Sequence, residues 1–224
     1  MNSSLFYHQE TYFKNNYRIM CCDIRGFGKT NWIKQDFSLY DVLSDIVQLL
    51  QYLKITQCIW VGRSLGGYIA LRTAIKYPEM INKLILIATQ SGNDNYDTVQ
   101  SFLTLRDNWN DKTCRKKIVN GLYPVLIGTE NPEYLEWEKI WEKYDNDCIY
   151  YSMNAMLTRD SISVSHSNIL SLIIHGSKDE GTPVSAAISS NKALINSKLC
   201  IIEGATHAVN MTHYKEVNQA IVYG

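Results

Sequence analysis

Short apolar runs alternate with segments of helical spacing along most of the chain. Five runs of four to six residues predict strands, at 17–22, 58–61, 84–88, 170–175 and 199–202. Their apolar content is nearly continuous, which is typical of strands in a parallel sheet that is covered on both faces. The pattern therefore predicts an α/β fold with a mostly parallel sheet.

The segments between these runs predict helices. The clearest follows Ser38, which can cap a helix whose apolar positions recur at intervals of three and four: Leu39, Val42, Leu43, Ile46, Leu49, Leu50 and Leu53. Further helices are predicted over 65–77, where Pro78 ends the pattern, over 184–195 and over 214–222. Helices would thus cover both faces of the sheet.

The alternation of strands and helices is interrupted between residues 93 and 167. This block has helical spacing and is rich in aromatic residues, among them Trp109, Trp137, Trp141, Tyr150 and Tyr151. We therefore predict a core formed by 1–92 and 168–224 and a helical cap insertion at 93–167. The 224 residues, 46% of them hydrophobic, suffice for one such domain.

Charge and cysteine content narrow the classes of function. Lys plus Arg and Asp plus Glu each number 22, so charge gives no reason to expect nucleic acid or an anionic membrane as a partner. No run approaches the ~20 apolar residues that a membrane helix needs. The six cysteines lack paired metal spacing and predict free thiols in a reducing compartment, with the cytoplasm as the default.

The candidate nucleophile is Ser64, in the stretch Gly62-Arg63-Ser64-Leu65-Gly66 between a predicted strand and a predicted helix. A serine at such a sharp turn is held in strained φ/ψ angles, which project its hydroxyl into solvent. The two glycines predict a close approach of strand and helix, in which a side chain at either position would collide. This context is typical of a hydrolase nucleophile.

A serine nucleophile needs a base that takes its proton and an acid that orients the base. His207 follows the predicted strand at 199–202, and Asp179 follows the one at 170–175. Because parallel strands end at the same edge of a sheet, we expect both side chains near Ser64. Their order along the chain, Ser then Asp then His, also fits this type of fold.

Both partners have rivals. Asp94 follows the preceding strand and is the second-choice acid, while Glu180 is adjacent to Asp179. The other histidines lie away from strand ends, inside a buried strand end or at a helix start: His8, His166, His175 and His213. We expect a packing role for His175, which leaves His207 as the candidate base.

Four motifs span nearly the whole chain outside the insertion: DIRGFGKT at 23–30, GRSLGG at 62–67, HGSKDEGTP at 175–183 and EGATH at 203–207. In this order they resemble the α/β-hydrolase superfamily, in particular its small-molecule esterases, lactonases and carbon–carbon bond hydrolases. The resemblance implies Ser64 as nucleophile, His207 as general base and acid and Asp179 as its orienting partner. It also implies the Leu65 backbone N–H as an oxyanion donor.

The resemblance implies a structural loop shaped by Asp23, Arg25, Gly26 and Gly28. The chain departs from the family in lacking its first strands and the His-Gly turn that supplies the other oxyanion N–H. Residues 3–16 resemble the helix after that turn, so the absent strand would belong between 17–22 and 58–61. We therefore expect an amino-terminally truncated version of an active enzyme.

The position before the nucleophile is a further departure from many relatives. Arg63 stands there, and its planar guanidinium could bind a substrate carboxylate or form a salt bridge to the cap.

The expected reaction is hydrolysis of a small-molecule carboxylic ester, thioester or lactone through an acyl-enzyme, with no metal or organic cofactor. A serine nucleophile argues against haloalkane dehalogenases and epoxide hydrolases, whose nucleophile is aspartate. Two alternatives stay open: hydrolysis of a carbon–carbon bond in a ring-cleavage-type diketone, and a non-catalytic, truncated relative. The pattern predicts neither the substrate nor the oligomeric state.

Overall fold

The computed structural model describes residues 2–128 and 134–224. Its centre is a parallel sheet of four strands in the order β1-β2-β3-β4. The strands are β1 (Cys58–Arg63), β2 (Ile81–Ile87), β3 (Ser171–Gly176) and β4 (Ser197–Ile202). Because each strand pairs in parallel with the next one in the chain, every connection crosses from one end of the sheet to the other, as in an α/β protein.

Helices fill the connections. Before β1 lie α1 (Tyr7–Phe13) and α2 (Leu39–Tyr52), and α3 (Leu65–Lys76) joins β1 to β2. Between β2 and β3 lie α4 (Tyr96–Asn108), α5 (Lys112–Leu126), α6 (Tyr134–Glu142) and α7 (Asn146–Leu157), called here the helical insertion. The last helices are α8 (Val184–Ala193), between β3 and β4, and α9 (Val209–Thr212) and α10 (Tyr214–Tyr223), after β4.

The prediction of a strand at 17–22 is wrong. Residues 18–24 have neither helical nor strand structure, whereas the other four predicted strands are observed. A strand is held by hydrogen bonds to a neighbour, whereas residues 17–22 and β1, the edge strand of the described sheet, both line one cavity without pairing. The apolar content at 17–22 therefore lacks the partner that would make it a strand.

The helix predicted after Ser38 is confirmed as α2. The Ser38 hydroxyl accepts the Asp41 N–H at 3.2 Å, and the Asp41 carboxylate accepts the Ser38 N–H at 2.7 Å. This reciprocal capping box satisfies N–H groups that have no acceptor within the helix. The predicted stripe is largely buried, although Leu49 is 39% exposed.

Apolar side chains cover both faces of the sheet. Leu84 and Leu86 of β2 pack into a cluster with residues of α2 and α3. Ile85 and Ile87 point to the opposite face, where they join a second cluster that includes Val217 of α10. Since strand side chains alternate between faces, a strand buried on both sides must be apolar throughout, as the sequence pattern predicted.

A third apolar cluster belongs to the helical insertion. Its aromatic core includes Trp109, Tyr123, Trp137 and Trp141, and it also contains residues of the sheet-bearing part: Phe27, Ala208 and Met211. The insertion is therefore anchored beside the turn that carries His207.

None of the helices in the described ranges is long and apolar enough to cross a membrane. The six cysteines are free thiols, as predicted.

Candidate active site

Ser64 lies in the turn between β1 and α3. Its φ of 50° and ψ of −119° place a non-glycine residue in a strained backbone conformation. Two contacts with the end of β2 hold the turn: the Ser64 N–H donates to the Ile87 carbonyl at 3.0 Å, and the Thr89 hydroxyl donates to the Ser64 carbonyl at 3.0 Å. The predicted strained turn is thus observed, at the carboxyl end of the strand.

The glycines around Ser64 differ in how much space a side chain would have at each position. A Cβ at Gly62 would lie 2.5 Å from the Gly66 carbonyl oxygen, so the predicted close approach is confirmed there. At Gly66 the prediction is wrong, because a Cβ would meet no atom within 4 Å. Gly66 presents its carbonyl to Gly62 and lines the cavity. The glycine that permits close packing on the helix is Gly67, where a Cβ would lie 2.3 Å from the Thr89 side chain.

The structure brings Ser64, His207 and Asp179 together. The Nε2 atom of His207 lies 3.0 Å from the Ser64 Oγ, and its Nδ1 lies 2.8 Å from Oδ2 and 3.0 Å from Oδ1 of Asp179. With Nδ1–H donating to the carboxylate, Nε2 is left to accept the serine hydroxyl proton. Their strands meet at one edge of the sheet, as expected of parallel neighbours.

Asp179 is held in the ionised form that this network requires. Burial raises its pKa, but the interactions with His207, the Thr182 N–H and His175 together outweigh burial. The Thr182 N–H donates to Oδ1 at 2.8 Å, and the His175 Nε2 lies 3.3 Å from Oδ2. The pKa of Asp179 therefore lies below its ordinary value.

His207 is held in the neutral form. Its burial lowers the pKa most, and the positive charge of Arg63 and the His175 side chain lower it further. The carboxylate of Asp179 acts in the opposite direction without cancelling these effects. The resulting pKa lies below the ordinary 6.5, so the imidazole is free to accept a proton at neutral pH.

Arg63 extends from the end of β1 toward the turn of His207. Its Nη2 donates to the His207 carbonyl oxygen at 3.0 Å, and only 8% of the residue is exposed, although it lines the cavity. Burial lowers its pKa to about 10, which leaves the guanidinium charged at neutral pH. The sequence suggested a substrate carboxylate or the cap as its partner and gave no signal for the His207 contact.

The rival acid Asp94 lies in a separate buried network. Its carboxylate is 2.7 Å from Arg159 Nη1, and it accepts hydrogen bonds from Tyr68 at 3.1 Å and from Gln90 at 2.8 Å. Because Arg159 follows α7 and Asp94 precedes α4, this network joins the two ends of the helical insertion. Asp94 thus has a structural environment different from that of Asp179.

Leu65 is the first residue of α3, directly after Ser64. The N–H groups of a helix's first turn have no acceptor inside the helix. The Leu65 N–H is therefore available to an oxygen that develops charge beside Ser64, which keeps it the candidate oxyanion donor.

The loop at 23–30 is organised around Asp23. The Asp23 carboxylate accepts the Ser3 N–H at 2.6 Å, and a Cβ at Gly28, whose φ is +56°, would lie 2.0 Å from that carboxylate. Arg25 forms a two-point contact with Asp45, at 2.5 and 2.8 Å. These contacts agree with the structural role that the sequence implied for the loop.

Ser64 and His207 open onto a cavity of about 1690 Å³. On the side of the helical insertion, its wall is apolar and aromatic, with Phe102, Trp109, Leu122, Leu126, Trp141 and Met153 among the lining residues. None of the described insertion residues in this wall carries a formal charge. Within 2–128 and 134–224, no group of three or more His, Cys, Asp or Glu could hold a metal ion.

The chain belongs to the alpha/beta hydrolase fold family, whose model matches residues 1–124. It is 40% identical over 77 residues to human epoxide hydrolase 4, a match that spans 34% of this chain and 21% of that protein. Over 230 residues it is 25% identical to 3-oxoadipate enol-lactonase 2 of Acinetobacter baylyi, covering 98% of this chain and 83% of that protein.

Solved structures show the same fold. An esterase from Thermogutta terrifontis superposes with a TM-score of 0.90 at 20% identity, covering 99% of this chain and 84% of the esterase. The enol-lactonase from Burkholderia xenovorans superposes with a TM-score of 0.88 at 16% identity, over 99% and 85% of the two chains. The family and fold expected from the four motifs are therefore confirmed.

Proposed function

We propose that this protein is a serine hydrolase that cleaves a small-molecule carboxylic ester, thioester or lactone through an acyl-enzyme. Membership of a hydrolase family supports the general reaction. The observation that carries the finer proposal is the continuous hydrogen-bonded chain from Ser64 Oγ to His207, at 3.0 Å, and from His207 to Asp179, at 2.8 Å. This arrangement can activate a hydroxyl as a nucleophile without a further group.

In the proposed reaction, His207 Nε2 removes the hydroxyl proton while Ser64 Oγ bonds to the carbonyl carbon. The carbonyl π electrons move to its oxygen, which accepts the Leu65 N–H. His207 then returns the proton to the leaving oxygen or sulfur as that bond breaks, leaving an acyl-Ser64. Water attacks the acyl carbon with His207 again as base, and the carboxylic acid is released.

The insertion side of the cavity supports an uncharged, apolar group on the part of the substrate that contacts it. A charged acyl chain would lose its hydration against the insertion wall and find no counter-charge among the described insertion residues there. The esterase and lactonase relatives support an oxygen ester or lactone as the scissile group. We do not propose epoxide hydrolysis, despite the similarity to epoxide hydrolase 4, because the residue in the turn between β1 and α3 is a serine, Ser64.

The test is hydrolysis of p-nitrophenyl acetate, butyrate and octanoate and of a negatively charged hemisuccinate ester by the native protein and Ser64→Ala. We expect the uncharged esters to be preferred and the variant to fall to the background rate. Full activity of Ser64→Ala would refute the assignment. Turnover of a vinylogous diketone without ester hydrolysis would assign carbon–carbon bond cleavage instead, and binding without an acyl adduct would indicate a non-catalytic relative.

We also propose a cytoplasmic location. The support is the set of six free thiols, since a reducing compartment keeps cysteines unpaired.

A further inference from the structure

The turn that carries His207 is held from two sides by contacts that do not involve its imidazole. From β1, the Arg63 Nη2 donates to the His207 carbonyl oxygen at 3.0 Å. From the helical insertion, the Leu126 carbonyl accepts the Ala208 N–H at 2.7 Å and the Thr206 hydroxyl at 3.1 Å. These contacts place the backbone of His207 independently of the hydrogen bonds that its imidazole makes.

Arg63 differs from the insertion contact because it is covalently next to the nucleophile. Arg63 is the last residue of β1, and Ser64 follows it directly. The same end of β1 therefore carries both the serine hydroxyl and the guanidinium that donates a hydrogen bond to the His207 backbone. A single hydrogen bond thereby links the residue next to Ser64 to the backbone of His207, although β2 and β3 separate β1 from β4 in the sheet. A guanidinium suits this task because its planar geometry is rigid and its charge is permanent.

The charged and titratable groups that act on His207 come from two directions. His175 lies in β3 and Asp179 in the turn after β3, whereas Arg63 belongs to β1. Asp179 stabilises the imidazolium, whereas the Arg63 charge opposes it. Asp179 therefore contacts the imidazole of His207, whereas Arg63 contacts the backbone of the same residue.

We propose, resting on the proposed function, that Arg63 is a positioning residue: its hydrogen bond to the His207 carbonyl, at 3.0 Å, holds the imidazole between Ser64 and Asp179.

Four variants separate geometry, charge and stability. Arg63→Met removes both the hydrogen bond and the positive charge. Arg63→Lys keeps the positive charge but replaces the planar guanidinium by an ammonium group. Thr206→Val removes a hydrogen bond on the same turn without changing charge. Arg72→Met is the matched control, because Arg72 is also a buried arginine but is bound to Asp160, at 2.7 Å.

Three quantities are measured for each variant: the His207 pKa, the kcat/KM for p-nitrophenyl butyrate and the melting temperature. The pKa comes from an NMR titration of ¹³C-labelled imidazoles, in which the His207 signal is assigned by its loss in His207→Gln. We expect Arg63→Met to raise the His207 pKa and to lower kcat/KM about 10- to 100-fold, as for a misplaced catalytic group. Arg63→Lys should retain the native pKa while losing part of the rate. Thr206→Val should leave the pKa unchanged, and Arg72→Met should lower only the melting temperature.

Two results would overturn the proposal. If Arg63→Met behaves as Arg72→Met does, with an unchanged His207 pKa and rate, then Arg63 is merely structural. If it raises KM only for substrates that carry a carboxylate, Arg63 binds substrate instead. Should Arg63→Met fail to fold, Arg63→Lys decides: a native pKa with reduced rate supports the proposal, and native values of both refute it.

The NMR titration needs no turnover, so the two proposals can fail separately. An inactive native protein whose His207 pKa still responds to Arg63→Met would refute the proposed function while the positioning contact stands. An active protein in which Arg63→Met changes neither the His207 pKa nor kcat/KM would do the reverse.

Discussion

The carboxyl rim of the sheet and the outer edge of β1 make an instructive contrast. At the rim, Ser64, His207 and Asp179 bind one another and further neighbours. Along the edge, Val61 is 37% exposed, although its cross-strand neighbour Ile85 is 1% exposed on the same face. Among the described residues β1 pairs with a strand on one side only, so its outer edge is exposed, whereas at the rim the turns after β1, β3 and β4 converge and contact one another.

The largest expected effect belongs to the rim. Replacing Ser64 by Ala removes the oxygen that we propose as the nucleophile, and we expect kcat/KM for p-nitrophenyl butyrate to fall by about 10⁴-fold or more. The melting temperature should stay close to the native value, because the hydroxyl contributes one partly exposed hydrogen bond. A variant that loses stability and activity together would show that the rim is a structural feature.

The contrast in packing is tested by two matched truncations. Ile85→Ala should lower the free energy of unfolding by about 2 to 5 kcal/mol, since it removes a side chain that is 1% exposed and packs in the cluster with Val217. Ile59→Ala, at a position 43% exposed on the outer edge, should cost about 1 kcal/mol or less. Chemical denaturation measures both. Equal costs would mean that the outer edge of β1 is covered in solution.

Gly66 and Gly67, in the first turn of α3, test the packing at the rim. Gly67→Ala forces a Cβ against Thr89 and should destabilise the fold by about 1 to 3 kcal/mol. Gly66→Ala meets open space and should be neutral, or stabilising by up to about 1 kcal/mol, because alanine favours helix over glycine. Thermal unfolding of the two variants checks the prediction, and a reversed order would contradict the packing described for this turn.

The smallest expected effect is a displaced pH profile. In the proposed reaction His207 must be neutral to act as the base, so we expect kcat/KM to fall as the pH drops through the pKa of His207 in the free enzyme. Burial, Arg63 and His175 hold that pKa below the ordinary 6.5, so the acidic limb should have its midpoint below 6.5. A midpoint above 6.5 would indicate that Asp179 dominates the environment of the base.

The sequence predicts the features that depend on local pattern. Residues 58–61 are continuously apolar and precede a glycine-serine turn, so both the strand and the strained Ser64 follow from neighbours in sequence. The approach of Asp179 and His207 follows from one topological rule, that parallel strands end at a common edge.

Features that depend on distant contacts could not be predicted. The apolar run at 17–22 looks like a strand, but its structure depends on a partner that no local pattern specifies. Gly66 and Gly67 are equivalent in sequence, and only the position of Thr89 distinguishes them. The bond from Arg63 to the His207 carbonyl joins residues 144 positions apart, and no spacing rule indicates it.

The most direct test of the central claim is the rate and site of labelling by a fluorophosphonate, followed by mass spectrometry, in the native protein and in His207→Gln. We predict a single adduct on Ser64 and a rate about 10³-fold lower in the variant, because the hydroxyl is activated only through the imidazole. Labelling at another residue, or an equal rate in both proteins, would contradict the account.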